Sequence, residues 1–234
     1  MAVGAELRTI AVSSDHIVSA RIVRPPTYGP GTWPAIVLAH GAGTDRDHPS
    51  LRAWQEVFAQ AGYLAVVFNF PYRERGRTLP DPRPVLEQSW RAVIDHVRSS
   101  ADLAPRWLAI GGRSMGGRMA TYVVTDGVAV DALALLAYPL HPAGRPDRLR
   151  ADHLPRVVVP TLFVQGTRDA LAERARLATA AAAMPDATIH WIDQGDHGFR
   201  VPKRTGRSEA DVHAEITGTI VAWLKQRRDN AATR

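Results

Sequence analysis

The 234-residue chain contains no cysteine, which removes disulfide frameworks, thiolate zinc or iron–sulfur sites and every thiol nucleophile. Any covalent chemistry must use another residue. Lysine is almost absent too. Lys203 and Lys225 are its only two, so the 29 basic residues, set against 23 acidic ones, are nearly all arginine. Long apolar runs are missing: Ala132 to Leu140, the best uncharged candidate, is nine residues long, under half of the roughly 20 needed to cross a bilayer. The start, Met1-Ala-Val-Gly-Ala-Glu-Leu-Arg, has neither the basic region nor the apolar core of a secretory signal. These absences predict a cytoplasmic protein with no membrane partner. Low complexity is confined to Ala180–Ala183, and no repeat or linker divides the chain.

What is present is ordinary for a globular protein. With 45% hydrophobic and 22% charged residues, collagen, long coiled coils and wholesale disorder are excluded. The length suits one α/β domain over residues 1–234, burying roughly 70–75% of the surface its unfolded chain exposes, with the last few residues frayed.

The hydrophobic pattern sets the fold class. Val18, Ala20 and Ile22 alternate with Ser19 and Arg21 after a Ser13-Ser14-Asp15 turn, which predicts an antiparallel hairpin. From Pro34 onward short apolar runs at 35–39, 64–70, 107–111, 132–138, 157–164 and 187–192 read as strands covered on both faces. Between them lie helical stretches: one with Leu51, Trp54, Val57, Phe58 and Ala61 on a single face and stopped by Gly62, others near 84–98, after Ser114, at 172–183 and near 209–225. Strands alternating with helices imply a mostly parallel sheet of about eight strands with helices on both faces.

The sharpest local signal is Gly112-Arg113-Ser114-Met115-Gly116, a G-x-S-x-G between a strand and a helix. Such a turn exposes a strained serine hydroxyl at a helix N-terminus that favours developing negative charge, and Gly112 and Gly116 avoid side-chain collision across the turn. A serine needs a base, and the base an orienting acid. Asp169 and then His197 stand in loops after later strands, where open α/β sheets place their sites. Asp193 and Asp196 are rivals for the orienting role, but their closeness to His197 in sequence suits turn residues better. His40-Gly41-Ala42-Gly43 follows the first parallel strand, which makes the N–H groups of Ala42 and Met115 the candidate oxyanion donors and the His40 ring structural. His16, His48, His96, His141, His153, His190 and His213 lack a matching strand-end setting and read as ordinary polar residues.

These segments resemble the α/β-hydrolase superfamily in its dienelactone-hydrolase-like part. Closer still, His40-Gly-Ala-Gly-Thr-Asp, Phe70-Pro-Tyr, Gly112-Arg-Ser-Met-Gly-Gly-Arg, Tyr138-Pro-Leu-His-Pro, Leu162-Phe-Val-Gln-Gly-Thr-Arg-Asp and Lys203-Arg-Thr-Gly-Arg are similar to bacterial relatives of the testis-expressed hydrolase-like proteins and of a chromatin-complex scaffold subunit. The resemblance implies a Ser114–Asp169–His197 triad needing no metal or cofactor. Dienelactone hydrolases proper use cysteine, so their substrate does not carry over.

A serine hydrolase acting on a small soluble ester, thioester or related acyl compound follows. The stretch Pro139–Arg156 is too short for a large lipase lid. A short-peptide hydrolase of the same fold and a non-catalytic scaffold are the alternatives. A sequence pI near 10.3 raises nucleic-acid binding, yet no arginine-rich helix interleaved with aromatics supports it. Basic residues do cluster after strand ends: Arg73 to Arg83, Arg145 to Arg156, and Arg200 to Arg207. With Arg73, Arg113, Lys203 and Arg204 as candidate contacts, a cationic rim would favour anionic acyl substrates.

Overall fold

In the computed structural model, which describes residues 4–29 and 31–233, all eight strands join one sheet. They are β1 (Glu6–Ala11), β2 (Ile17–Val23), β3 (Pro34–Ala39), β4 (Leu64–Phe68), β5 (Trp107–Arg113), β6 (Ala132–Leu136), β7 (Thr161–Gly166) and β8 (Ala187–Ile192). Their order across the sheet is β1-β2-β4-β3-β5-β6-β7-β8. β1 and β2 form the expected antiparallel hairpin, β2 pairs antiparallel with β4, and every pairing from β4 to β8 is parallel.

The two-residue period of a strand divides the apolar runs between two cores. Ala35, Val37 and Ala39 of β3 point to one face and Ile36 and Leu38 to the other. The first face is covered by α3 (Arg83–Ser99), α4 (Met115–Thr125) and α5 (Arg174–Ala182), the second by α1 (Pro49–Gln60) and α6 (Glu209–Ala232). In α3 the buried stripe contains Leu86, Trp90, Val93, Ile94 and Val97, as the spacing predicts. In α1 it is Leu51, Trp54, Gln55, Phe58 and Ala59, with Ala61 exposed at the C-cap. Gln55 is tolerated there because its amide donates to the carbonyls of Arg21 and Ala65 at 2.7 and 2.8 Å.

Several element ends differ from the sequence reading, each for a local reason. β4 stops at Phe68, because Pro71 opens a short helix, α2 (Pro71–Glu74), that the pattern did not announce. β6 stops at Leu136 because Ala137 adopts φ +50° and turns the chain. β7 begins at Thr161, after Pro160, which has no N–H for a ladder. At the end of the chain, where fraying was expected, α6 continues to Ala232 from a capping box between Ser208 and Asp211. Among the described residues no helix is long and apolar enough to cross a membrane.

The chain moves outward from β3 in both directions, and the C-terminal ends of β3, β5, β6, β7 and β8 share one edge. That edge is where a doubly wound sheet leaves a crevice.

Candidate active site

Ser114 links β5 to α4 with φ 51° and ψ −116°, a conformation that costs a non-glycine residue on the order of 1–3 kcal/mol. The strain is held in place: the Ser114 N–H donates to the Leu136 carbonyl at 2.8 Å, and its carbonyl accepts from Arg118 N at 3.0 Å. A Cβ on Gly112 would lie 2.2 Å from the Ala39 carbonyl oxygen, and one on Gly116 would lie 2.4 Å from it. Both glycines are therefore required by the approach of β3, where the sequence argument had side chains colliding across the turn itself. The other non-glycine residues with positive φ, Ala137, Gln194 and Phe199, also follow β6 and β8 at this edge.

The structure brings together three side chains far apart in sequence. His197 Nε2 is 2.9 Å from Ser114 Oγ, and His197 Nδ1 is 2.8 Å from Asp169 Oδ2. A carboxylate only accepts, so Nδ1 carries the proton toward Asp169 and Nε2 is left to accept from the serine hydroxyl. Asp169 is buried and fully engaged: Oδ1 accepts from Leu171 N at 2.8 Å, and Oδ2 also accepts from Gln165 Nε2 at 2.5 Å. Asp196 serves the turn, taking the N–H groups of Gly198 and Arg200 at 2.7 and 2.9 Å.

Gln165 is one residue that sequence reasoning missed. Its Oε1 accepts from Tyr138 N at 2.7 Å while its amide fixes Asp169, so one buried side chain couples the ends of β6 and β7. A glutamine closing an otherwise apolar strand was the available signal.

His40 Nδ1 donates to the Gly41 carbonyl at 2.8 Å and Nε2 accepts from Phe70 N at 3.1 Å. Burial holds its pKa down at about 4, so the ring is neutral and ties the loop after β3 to the end of β4. Ala42 and Met115 line the same cavity as Ser114, and neither N–H is spent on a backbone partner within the described residues.

An alpha/beta hydrolase domain model matches residues 33–225, which take in every residue of this site. The chain belongs to the alpha/beta hydrolase family. Its fold agrees: over 97% of this chain and 99% of the other, it superposes with a TM-score of 0.76 on Est1E from Butyrivibrio proteoclasticus at 13% identity, and equally on a dienelactone hydrolase from Anabaena variabilis at 21%. A serine hydrolase without lid from Xanthomonas campestris superposes at 0.69, with 19% identity and 94% of each chain covered. Among curated proteins, the quorum-quenching protein AidA of Acinetobacter baumannii is 36% identical over 45% of this chain and 34% of its own length. A putative phosphoribosyl transferase of Mycobacterium tuberculosis is 31% identical over 57% of this chain and 29% of its own. The chain thus spans about a third of the length of the curated relatives it matches.

In this hydrolase-family chain, Ser114 opens into a cavity of about 360 Å³, small for a ligand site. The loop between β6 and β7 supplies one wall through Pro139, His141, Pro142, Ala143 and Arg150, with a single 3-10 turn at Leu154–Arg156. His141, read from sequence as an ordinary polar residue, therefore faces the site. The basic residues lining the cavity are Arg83, Arg118 and Arg150. Arg73 instead donates to Asp45 at 3.2 Å and to the Arg77 carbonyl at 3.0 Å. Arg113 lines a separate cavity of about 450 Å³ with His48, Trp54 and His213. Lys203 and Arg204 are exposed on the 3-10 turn Lys203–Thr205, where Arg204 reaches Gln194 Oε1 at 3.3 Å.

Proposed function

We propose that the protein is a serine hydrolase that cleaves a small ester, thioester or related acyl compound through an acyl-enzyme. The observation that carries this reading is the 2.9 Å approach of His197 Nε2 to the hydroxyl of a strained Ser114 that faces a cavity. Ser114 Oγ attacks the acyl carbon while His197 Nε2 takes its proton. The carbonyl oxygen gains negative charge, and the free N–H groups of Ala42 and Met115 are the donors for it. The intermediate expels the alcohol or thiol, which receives the proton from His197. Water then repeats the sequence on the acyl-serine, giving the acid and free Ser114. Asp169, itself held by Gln165 and Leu171 N, keeps the imidazole oriented and stabilises its charged form. No step requires a metal or cofactor.

The family membership and the fold shared with esterases support hydrolysis as the reaction type. The narrower kinship with bacterial relatives of the testis-expressed hydrolase-like proteins belongs to the same proposal and rests on the motifs quoted above. A fluorophosphonate probe tests the reading. Wild type is expected to label and Ser114→Ala to lose both labelling and several orders of magnitude in turnover, and equal labelling of the two would overturn it. A panel of chromogenic esters, thioesters and peptide anilides then ranks the acyl classes.

A further inference from the structure

Arg118 and Arg150 stand out among the basic residues of the Ser114 cavity. Arg118 lies one helical turn beyond Ser114 on α4 and is half-buried, with an Nε that is fully buried and unpartnered. Arg150 comes from the loop after β6. Its N–H donates to the Leu140 carbonyl at 2.7 Å and its own carbonyl accepts from Tyr138 Oη at 3.0 Å, so its backbone is pinned on both sides.

The acids near the cavity pair with other arginines. Asp81 also lines it; its Oδ1 takes Arg75 at 2.7 Å and Arg77 at 3.3 Å, and its buried Oδ2 has no hydrogen-bond partner. Glu87 pairs with Arg83, whose guanidinium lies 3.6 Å from the centre of the Tyr122 ring. Among the described residues neither the Arg118 nor the Arg150 side chain makes an ion pair or hydrogen bond. Desolvation, and next the charge of Arg118, push the Arg150 guanidinium below its ordinary range. Two half-buried like charges without a counter-ion destabilise a fold, whereas an oxyanion between them would be held by forked, charge-assisted hydrogen bonds.

We infer that Arg118 and Arg150 form an anion subsite in the Ser114 cavity, and that the substrate is a short acyl compound carrying a second oxyanion group, a carboxylate or a phosphate. The word substrate rests on the proposed serine chemistry; anion binding does not. Of the rim expected from sequence this subsite keeps Arg150, and Arg118 from α4 joins it.

Two measurements separate the claims. In the first, kcat/KM is compared for 4-nitrophenyl butyrate and the 4-nitrophenyl half-ester of glutarate. Wild type should favour the half-ester by about tenfold or more at low salt, less as salt rises. The Arg118→Gln/Arg150→Gln pair should bring the ratio near one, and Arg204→Gln on the rim should keep the wild-type ratio. In the second, thermal unfolding of wild type and Ser114→Ala is followed with glutarate and with inorganic phosphate. At least one anion should raise Tm in both proteins and not in the double variant, and which of them does so identifies the oxyanion. If the double variant does not fold, Arg118→Lys and Arg150→Lys keep the charge but lose the fork, and each should lower the ratio. A ratio near one in wild type, with neither anion raising Tm, overturns the subsite and leaves the serine chemistry standing. Anion stabilisation without fluorophosphonate labelling overturns the serine chemistry and leaves the subsite.

Discussion

Arginine is used in opposite ways at two places on this molecule. At the N-terminal corner, Arg8 and Arg24 share two carboxylates: Arg24 reaches Glu6 at 2.6 Å and Asp102 at 2.7 Å, while Arg8 pairs with the same two. The arginine partners hold both carboxyls below the usual range, and the charges cancel locally. At the Ser114 cavity, Arg118 and Arg150 have no such partners. The first arrangement ties the β1–β2 hairpin to the segment after α3. The second leaves charge unpaired at the edge where the strained backbone and the side chains of Ser114, His197 and Asp169 are gathered. Counting +6 over the whole chain hides this difference, because what matters chemically is where a counter-ion is withheld.

The contrast can be attacked from either end. The largest effect belongs to the reactive edge: Asp169→Asn should favour the wrong imidazole tautomer and lower turnover by up to ~10⁴. Near-wild-type kinetics for that variant, with Asp196→Asn inactive, would hand the orienting role to Asp196. Gln165→Leu removes a hydrogen bond to a buried carboxylate, an interaction of roughly 1.5–3 kcal/mol, so kcat should drop about 10- to 100-fold with KM little changed. A wild-type kcat would mean that Leu171 N alone suffices to hold Asp169.

The buried His40 gives a pH signature. Its folded pKa of about 4 lies below the unfolded value of about 6.5, so the unfolded chain binds the extra proton between those limits. Stability is full above pH 6.5 and falls as pH drops toward 4, by up to about 3 kcal/mol from His40. Urea unfolding at steps through that window should show the decline, and a variant with Gln at position 40 should flatten it. His153 is also held down at about 4, mainly by burial, and adds to the loss in the same direction. The smallest effect belongs to the N-terminal corner. Asp102→Ala should cost no more than roughly 1 kcal/mol, as exposed pairs do, and leave the ratio of half-ester to butyrate ester untouched. A changed ratio would erase the distinction between the two regions.

Much of the site was legible before any coordinates. The G-x-S-x-G after a strand, an aspartate after the penultimate strand and a histidine after the last one are local patterns joined by a simple rule of chain order. Gln165 escaped because the groups such a strand-end glutamine satisfies, Tyr138 N and Asp169, come from two different loops, after β6 and after β7. His141 was passed over because its loop has no periodicity from which to read an orientation. The arginines divided the same way: clustering after strand ends was visible, but whether Asp81 faces Arg75, Arg77 or Arg118 depends on how the α2–α3 connection folds against α4.

By itself the sequence determined the alternation of strands and helices, the two-faced sheet and the place of the G-x-S-x-G turn, since hydrophobic period and turn chemistry act within a few residues. Only the tertiary structure decided that Gln165 holds the Asp169 carboxylate, that His141 faces the Ser114 cavity, and that Arg118 and Arg150 share it without an ion-pair partner among the described residues. Those outcomes depend on distances of a few ångströms between segments far apart in the chain. Such distances are set by packing across the whole sheet edge and by no local pattern.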